Sequence, residues 1–145
     1  MRFPKGSTRL KILVDINLFE DVFRKRTGWR ASESVIRVVR QGKIIGYISA
    51  LTVPILYFFR SHSYPEAEAR RLTKTITRKF RVVALTNRIL NDAFDSPMFD
   101  FEDAIQFYSA KSVKSDYLVT RNIAHFSLSD VKAITPEDFL ALILR

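Results

Sequence analysis

Short apolar runs alternate with longer amphipathic stretches along the 145-residue chain. Residues 11–15 contain a continuous apolar run, which is typical of a strand that is buried on both faces. Residues 31–40, by contrast, place their valines on one face at helical spacing. This alternation predicts an α/β fold, a three-layer α/β/α sandwich with a mostly parallel central sheet, and it disfavours a β-sandwich or a helix bundle.

The same patterns give the predicted order of elements, which is β-α-α-β-α-α-β-α-α-β-β-α. Strands are expected at residues 11–15, within 43–49, and at 81–85, 116–120 and 131–134. Helices are expected at residues 17–25, 31–40, 52–59, 64–79, 87–94 and 101–113, with a closing helix from Pro136. Thr52 is the predicted N-cap of the third helix, because a threonine hydroxyl can accept a hydrogen bond from an N–H of the first turn.

The length of the chain is that of one domain. We therefore expect residues 11–145 to form a single domain, preceded by a basic N-terminal extension at residues 1–10. The sequence contains no cysteine, and it has no apolar segment as long as the roughly 18 to 20 residues of a membrane span. A cytoplasmic protein without a membrane partner is the expectation.

The charge balance is strongly basic. The chain has 24 Lys and Arg against 15 Asp and Glu, which gives a net charge of +9 at pH 7. Such an excess favours a polyanionic partner such as nucleic acid. Two basic runs, at residues 24–30 and 70–81, could form walls that guide a phosphate backbone toward a site. The alternative is that these charges only keep the surface soluble.

Acidic and amide side chains follow several of the predicted strands. Asp15 ends the first strand, Asp100 and Asp103 lie at the start of a helix after the third strand, and Asn122 follows the fourth. Functional groups of an open parallel sheet collect at the carboxyl ends of its strands, so these side chains are expected to meet there. Asp100 and Asp103 are three residues apart and can share one face of their helix.

Carboxylates that share a cleft repel each other unless a cation lies between them. An all-oxygen set of ligands suits Mg²⁺ or Mn²⁺ rather than zinc. An ion of this kind can polarise a phosphodiester and lower the pKa of an attacking water. The alternative is that the three aspartates only cap helices, where acidic side chains are favoured in any case.

Four segments, KILVDINLF, GYISALTV, DFEDAIQFYSA and DYLVTRNIAHF, occur in that order along the chain. In order and spacing they resemble the motifs of PIN-domain proteins, particularly those that act as toxins in bacterial toxin–antitoxin pairs. The resemblance runs from Lys11 to about Ile143, and TPEDFLALI resembles the closing segment of the family.

The resemblance implies a PIN-like fold and an endoribonuclease site that uses Mg²⁺ or Mn²⁺. On the matching positions, Asp15, Asp103 and the neighbouring Asp100 bind the metal, and Asn122 orients water or phosphate. These four are the expected catalytic residues. The residues expected to contact the substrate RNA are Thr120, Arg121 and His125.

One position departs from the family pattern. The glutamate expected after SALTV falls at Ile55, which can neither ligate a metal nor accept a proton. Glu20, Glu102 or an oxygen of the substrate phosphate could replace it, since Mg²⁺ takes few protein ligands. The alternative function is therefore a catalytically degenerate PIN domain that binds RNA or a protein. A DNA-directed nuclease is a third possibility that shares the acid cluster.

The segment LTVPILYFF is more apolar than one buried helix face requires. An excess of this kind often marks an interface. Because the resembling toxins form dimers and bind antitoxins, a homodimer and an antitoxin-like protein partner are expected. The alternative is that Tyr57, Phe58 and Phe59 complete the core of a monomer.

Overall fold

A five-stranded sheet forms the centre of the protein across residues 9–126, 128 and 130–144, which are the residues that the computed structural model describes. Its strands are β1 (Lys11–Val14), β2 (Ile45–Ser49), β3 (Arg81–Val83), β4 (Tyr117–Val119) and β5 (Lys132–Ile134). Its helices are α1 (Ile16–Arg24), α2 (Trp29–Arg40), α3 (Thr52–Ser61), α4 (Glu66–Thr77), α5 (Asn87–Asp95), α6 (Phe101–Ser112) and α7 (Pro136–Ile143). A single 3₁₀ turn lies at Ile123–His125. The strand order is β3-β2-β1-β4-β5, and each neighbouring pair is parallel.

Both faces of the sheet are covered by helices. Ile12 and Val14 of β1 pack with α1, α2 and α7 on one face, and Leu13 packs with α5 and α6 on the other. All three side chains are completely buried. The continuous apolar run of β1 thus serves two cores at once, as expected for a strand between two helical layers. The predicted α/β/α sandwich and its order of elements are confirmed.

Two helices begin or end at other residues than predicted. Thr52 is not the N-cap of α3 but its first residue, and its side chain is buried. The helix predicted at residues 64–79 begins later, after Pro65, and ends at Thr77. It cannot continue through Lys79, because this residue adopts a left-handed conformation with φ 75°.

The charges divide unevenly over the fold. No Asp or Glu occurs between Glu33 and Glu66 or between Glu68 and Asp92. These two stretches include β2 and β3, which lie together at one side of the sheet. Most acidic residues lie elsewhere, so the β2–β3 side carries most of the excess positive charge.

Part of the predicted N-terminal extension is hydrogen-bonded to residues at the start of β2. The carbonyl of Leu10 accepts a hydrogen bond from the N–H of Ile45 at 2.8 Å, and Nη1 of Arg9 donates to the carbonyl of Gly42 at 2.9 Å. Residues 1–8 lie outside the described residues. None of the helices in the described ranges is long and apolar enough to cross a membrane.

Candidate functional site

Asp15 lies at the carboxyl end of β1 and is 2% exposed. The ladder between β1 and β4 aligns Val14 with Val119, so the residues that follow them, Asp15 and Thr120, are also neighbours. The N–H of Asp15 donates to the carbonyl of Val119 at 3.0 Å, and the hydroxyl of Thr120 donates to Oδ2 of Asp15 at 2.8 Å. The parallel pairing of two strands therefore fixes the position of this carboxylate.

Asp100 and Asp103 lie at the start of α6. Oδ1 of Asp100 accepts a hydrogen bond from the N–H of Asp103 at 3.0 Å, so Asp100 caps the helix as the simpler interpretation of the sequence had it. Asp100 is exposed, whereas Asp103 is partly buried. Oδ2 of Asp103 lies 2.9 Å from Nδ1 of His125, which belongs to the 3₁₀ turn after β4.

The electrostatics show that the acidic residues are close together. Burial, with the charge of Asp103 adding to it, raises the pKa of Asp15 to about 6 against the opposing hydrogen bond from Thr120. Burial also raises the pKa of Asp103, and the charge of Asp100 adds to this while His125 opposes it. Within the described ranges no Lys or Arg pairs with Asp15 or Asp103. The cleft thus holds a group of like charges that the surrounding side chains leave largely uncompensated.

Residues of the loop after β4 surround these carboxylates. Thr120 is completely buried, and its hydroxyl also accepts a hydrogen bond from the N–H of Asn122 at 3.1 Å. This hydroxyl positions Asp15 and the loop, and it does not face solvent where a substrate would lie. The side chains of Asn122 and His125 are exposed.

Arg121 joins distant parts of the chain. Nε donates to Oδ2 of Asp21 at 2.9 Å, and Nη1 donates to Glu137 of α7 at 2.7 and 2.6 Å. Nη2 donates to the carbonyl of Gly28 and, at 3.1 Å, to the hydroxyl of Ser32. These are as many hydrogen bonds as a guanidinium has N–H donors. Arg121 could therefore contact a substrate phosphate only by giving up an internal partner.

The sequence analysis missed Asn17, which lies on the first turn of α1. Its backbone N–H lies on the side of the Asp15 carboxylate and helps to lower the pKa of that group against burial. Its side-chain oxygen is buried and has no hydrogen-bond donor among the described residues. A buried side-chain acceptor without a donor is unusual. The sequence signal that could have identified it is an asparagine two positions after an aspartate that ends a strand.

Neither of the two glutamates suggested as replacements at position 55 is both unpaired and placed like the missing side chain. Glu20 is buried, and its Oε1 accepts a hydrogen bond at 3.1 Å from Arg60, a residue of α3 that is completely buried. Glu102 is exposed on α6, beside Asp103 rather than one turn from it. Ile55 itself lies one turn after Thr52, whose hydroxyl accepts from Nε2 of Gln106 at 3.1 Å. Because Gln106 follows Asp103 by one turn, this hydrogen bond holds the first turn of α3 near the cleft.

The donor set fits a divalent cation only with few protein ligands. In the described part of the chain, no group of three or more Asp, Glu, His or Cys side chains is arranged to hold a metal. Asp15 and Asp103 offer carboxylate oxygens, and Asn17 offers a buried neutral oxygen without a donor. Mg²⁺ usually keeps several waters and binds one or two carboxylates, so this set fits such an ion.

The fold and the cleft together define a small α/β domain with an acidic site at the carboxyl edge of its parallel sheet. The family model described as the PIN domain matches residues 11–124. The chain therefore belongs to the PIN-domain family, which confirms the resemblance seen in its sequence motifs. No curated protein sequence matches it significantly.

Solved structures of toxin–antitoxin proteins share the fold. A toxin–antitoxin complex from Klebsiella pneumoniae matches with a TM-score of 0.66 and 18% identity, over 86% of this chain and 97% of that chain. VapBC-1 from nontypeable Haemophilus influenzae gives 0.65 and 15%, over 88% and 99%. The sarcin-ricin-loop-cleaving toxin VapC20 of Mycobacterium tuberculosis gives 0.59 and 13%, over 83% and 98%. At these identities the neighbours show that the fold of this chain is the one found in those proteins.

Proposed function

We propose that this protein is an endoribonuclease that hydrolyses phosphodiester bonds with the help of Mg²⁺ or Mn²⁺ in the cytoplasm. The observation that carries the proposal is the buried carboxylate of Asp15 beside Asp103. Its pKa is raised to about 6 by burial and by that neighbouring charge. A cation between the two side chains would remove the repulsion that the described protein groups leave in place.

Asp15 and Asp103 would hold the ion, with Asp100 beside them and the buried oxygen of Asn17 able to accept a hydrogen bond from a water. A bound divalent cation would polarise the phosphodiester and lower the pKa of the attacking water. The protein contributes the orientation. Thr120 fixes Oδ2 of Asp15, and His125 holds Oδ2 of Asp103.

The substrate would approach from the exposed side of the loop after β4. When His125 is protonated at both nitrogens, Nδ1 donates to Asp103 and Nε2 can donate to a phosphate. Asn122 is exposed next to it and would orient water or a phosphate oxygen. Arg26 also lies close, because its Nη2 donates to the carbonyl of Asn17 at 3.2 Å. The first of the two basic runs would guide RNA to the cleft from this side, with Nε of Arg26 also donating to Asp21 at 3.0 Å.

The direct test is cleavage of RNA by the purified protein with Mg²⁺, with Mn²⁺ and with EDTA. We expect products with 5′-phosphate and 3′-hydroxyl ends only when the metal is present, because a bound cation would supply an activated water as the nucleophile. An Asp103→Asn variant purified in parallel controls for contaminating nuclease. Equal cutting by the variant, or cutting in EDTA, would exclude the proposed site. Cleavage of DNA but not RNA would show that the protein is a DNA-directed nuclease instead.

A second candidate function is RNA or protein binding without cleavage. The observation that favours it is the short ligand set, in which Ile55 stands where the family has a glutamate and no larger group of metal-binding side chains is found among the described residues. RNA binding without metal-dependent cutting would support this candidate.

We also propose a homodimer and an antitoxin-like protein partner. Phe58 of α3 is 57% exposed and packs edge-on against Phe59 and His62. Part of the apolar segment therefore lies on the surface rather than in the core. The structure from Klebsiella pneumoniae is a toxin–antitoxin complex. Sedimentation of the wild type beside Phe58→Ser is the measurement. A monomeric wild type would exclude the dimer.

A further inference from the structure

A cluster of cations lies at the edge of the sheet where the strands begin. Arg9, Lys79 and Arg81, called here the basic edge, line one open cleft of about 240 Å³ beside Gly42. We infer that the basic edge is a second binding site for the phosphate backbone of RNA, separate from the carboxylate cleft. This inference rests on the proposed function, because it concerns how the same substrate is held.

The parallel topology brings these cations together. Arg9 precedes β1, Lys79 lies in the turn after α4, and Arg81 begins β3. All strands of a parallel sheet begin at the same edge, so residues distant in sequence meet there. Lys79 and Arg81 end the second basic run, which was predicted to form a wall of the acidic site. They lie instead at the opposite edge of the sheet.

The basic edge lacks the neutralising partners that several other surface cations have. Arg70, Arg71 and Arg88 each face a carboxylate on their own helix, at 2.8, 2.5 and 3.9 Å. Arg9, Lys79 and Arg81 form no ion pair within the described residues. The side chain of Arg9 donates only to the carbonyl of Gly42.

Helix electrostatics explain only part of the cluster. Cations are favoured in the last turn of a helix, because they face the negative end of the dipole. Lys79 follows the end of α4, and Arg9 donates to the carbonyl of Gly42 after the end of α2, so both lie near such ends, whereas Arg81 lies in a strand. Unpaired like charges on neighbouring segments repel each other, so their grouping fits a polyanion that binds there.

The separation of the two sites indicates the length of the ligand. Arg9 precedes Asp15 by six residues of nearly extended chain, which places their Cα atoms roughly 20 Å apart at about 3.3 Å per residue. A single phosphate or a dinucleotide cannot contact both sites. A longer RNA can bind the basic edge while a distant bond enters the carboxylate cleft, so we commit to RNA rather than a membrane or an acidic protein.

The test measures RNA binding without cleavage. A long labelled RNA is titrated in EDTA at several salt concentrations with the wild type and with the triple variant Arg9→Gln, Lys79→Asn, Arg81→Gln. Asparagine is chosen at position 79 because it tolerates the left-handed conformation. The control variant Arg70→Gln, Arg71→Gln, Arg88→Gln removes the same charge from positions that already face carboxylates.

Removing three phosphate contacts from a single strand is expected to lower the slope of log K against log salt by about 2, and affinity at low salt by at least about tenfold. The control variant should change the slope much less. Equal losses in both variants, or no RNA binding by the wild type, would overturn the inference. Cleavage of a short oligonucleotide should be the same in the basic-edge variant and the wild type. If no protein cuts it while the binding difference persists, the proposed function fails and the basic edge stands.

Discussion

Asp15→Asn is expected to stabilise the metal-free protein at pH 7 by about 3 kcal/mol, because a shift from a pKa of 3.8 to about 6 measures the cost of ionising this buried carboxyl group. The asparagine carries no charge and nearly the same shape. Its side-chain oxygen can still accept the hydrogen bond from Thr120. A residue proposed to be essential for activity should therefore lower the stability of the fold.

The gain should depend on pH in a defined window. Below about pH 4 the carboxyl group of Asp15 is protonated in both the folded and the unfolded chain, so the substitution changes little. Between about pH 4 and 6 the unfolded chain loses this proton first. The wild type therefore loses stability as pH rises, and the loss is complete above the folded-state pKa of about 6. Denaturant unfolding of both proteins at pH 4, 5, 6 and 7 measures the difference.

Asp95→Asn is the matched control, because it removes the same charge from an exposed side chain. We expect a change within about 0.5 kcal/mol at every pH. Mg²⁺ should stabilise the wild type and not Asp15→Asn, since binding to the folded state adds to its stability. A variant that is less stable than the wild type at pH 7 would mean that the hydrogen bonds to Asp15 outweigh its burial.

Ile55→Glu is expected to raise metal-dependent cleavage roughly tenfold or more at low Mg²⁺, because an additional carboxylate increases the affinity of an oxygen-ligand site. The position is suited to the change. It is only partly buried, and the hydrogen bond between Thr52 and Gln106 holds its turn of α3 near Asp103. The rate of cleavage measured across a Mg²⁺ series is the readout.

Ile55→Gln has nearly the same shape as the glutamate variant but no charge, and it should leave the Mg²⁺ dependence unchanged. Thermal melts of both variants show whether the fold survives the polar side chain. Equal effects of the two substitutions would contradict a ligand role for position 55.

The sequence predicted the fold and the main acidic residues for identifiable reasons. Continuous apolar runs mark strands buried on both faces, and such strands require helices above and below. An aspartate that directly follows such a run must lie at the carboxyl edge of the sheet. Asp15 could therefore be located before any contact was known, as could the start of α6 with Asp100 and Asp103.

The partners of Arg121 and the location of Lys79 and Arg81 could not be predicted in this way. The arginine lies 100 residues from Asp21 along the chain, and only the complete topology brings the two together. The cations after α4 were predicted to lie near the acidic site because a basic run could guide a phosphate backbone there. The direction of α4, which ends where β3 begins, sends them to the other edge.

The packing of Gly28 against Arg121 has a consequence for related chains. Gly28 has φ 85°, and a Cβ atom at this position would lie 2.7 Å from the nearest guanidinium atom of Arg121. That guanidinium cannot move aside without breaking its hydrogen bonds to Asp21 and Glu137. In an alignment of homologues the two positions should therefore covary, with arginine at 121 accompanied by glycine at 28, and with larger residues at 28 only where the side chain at 121 is short.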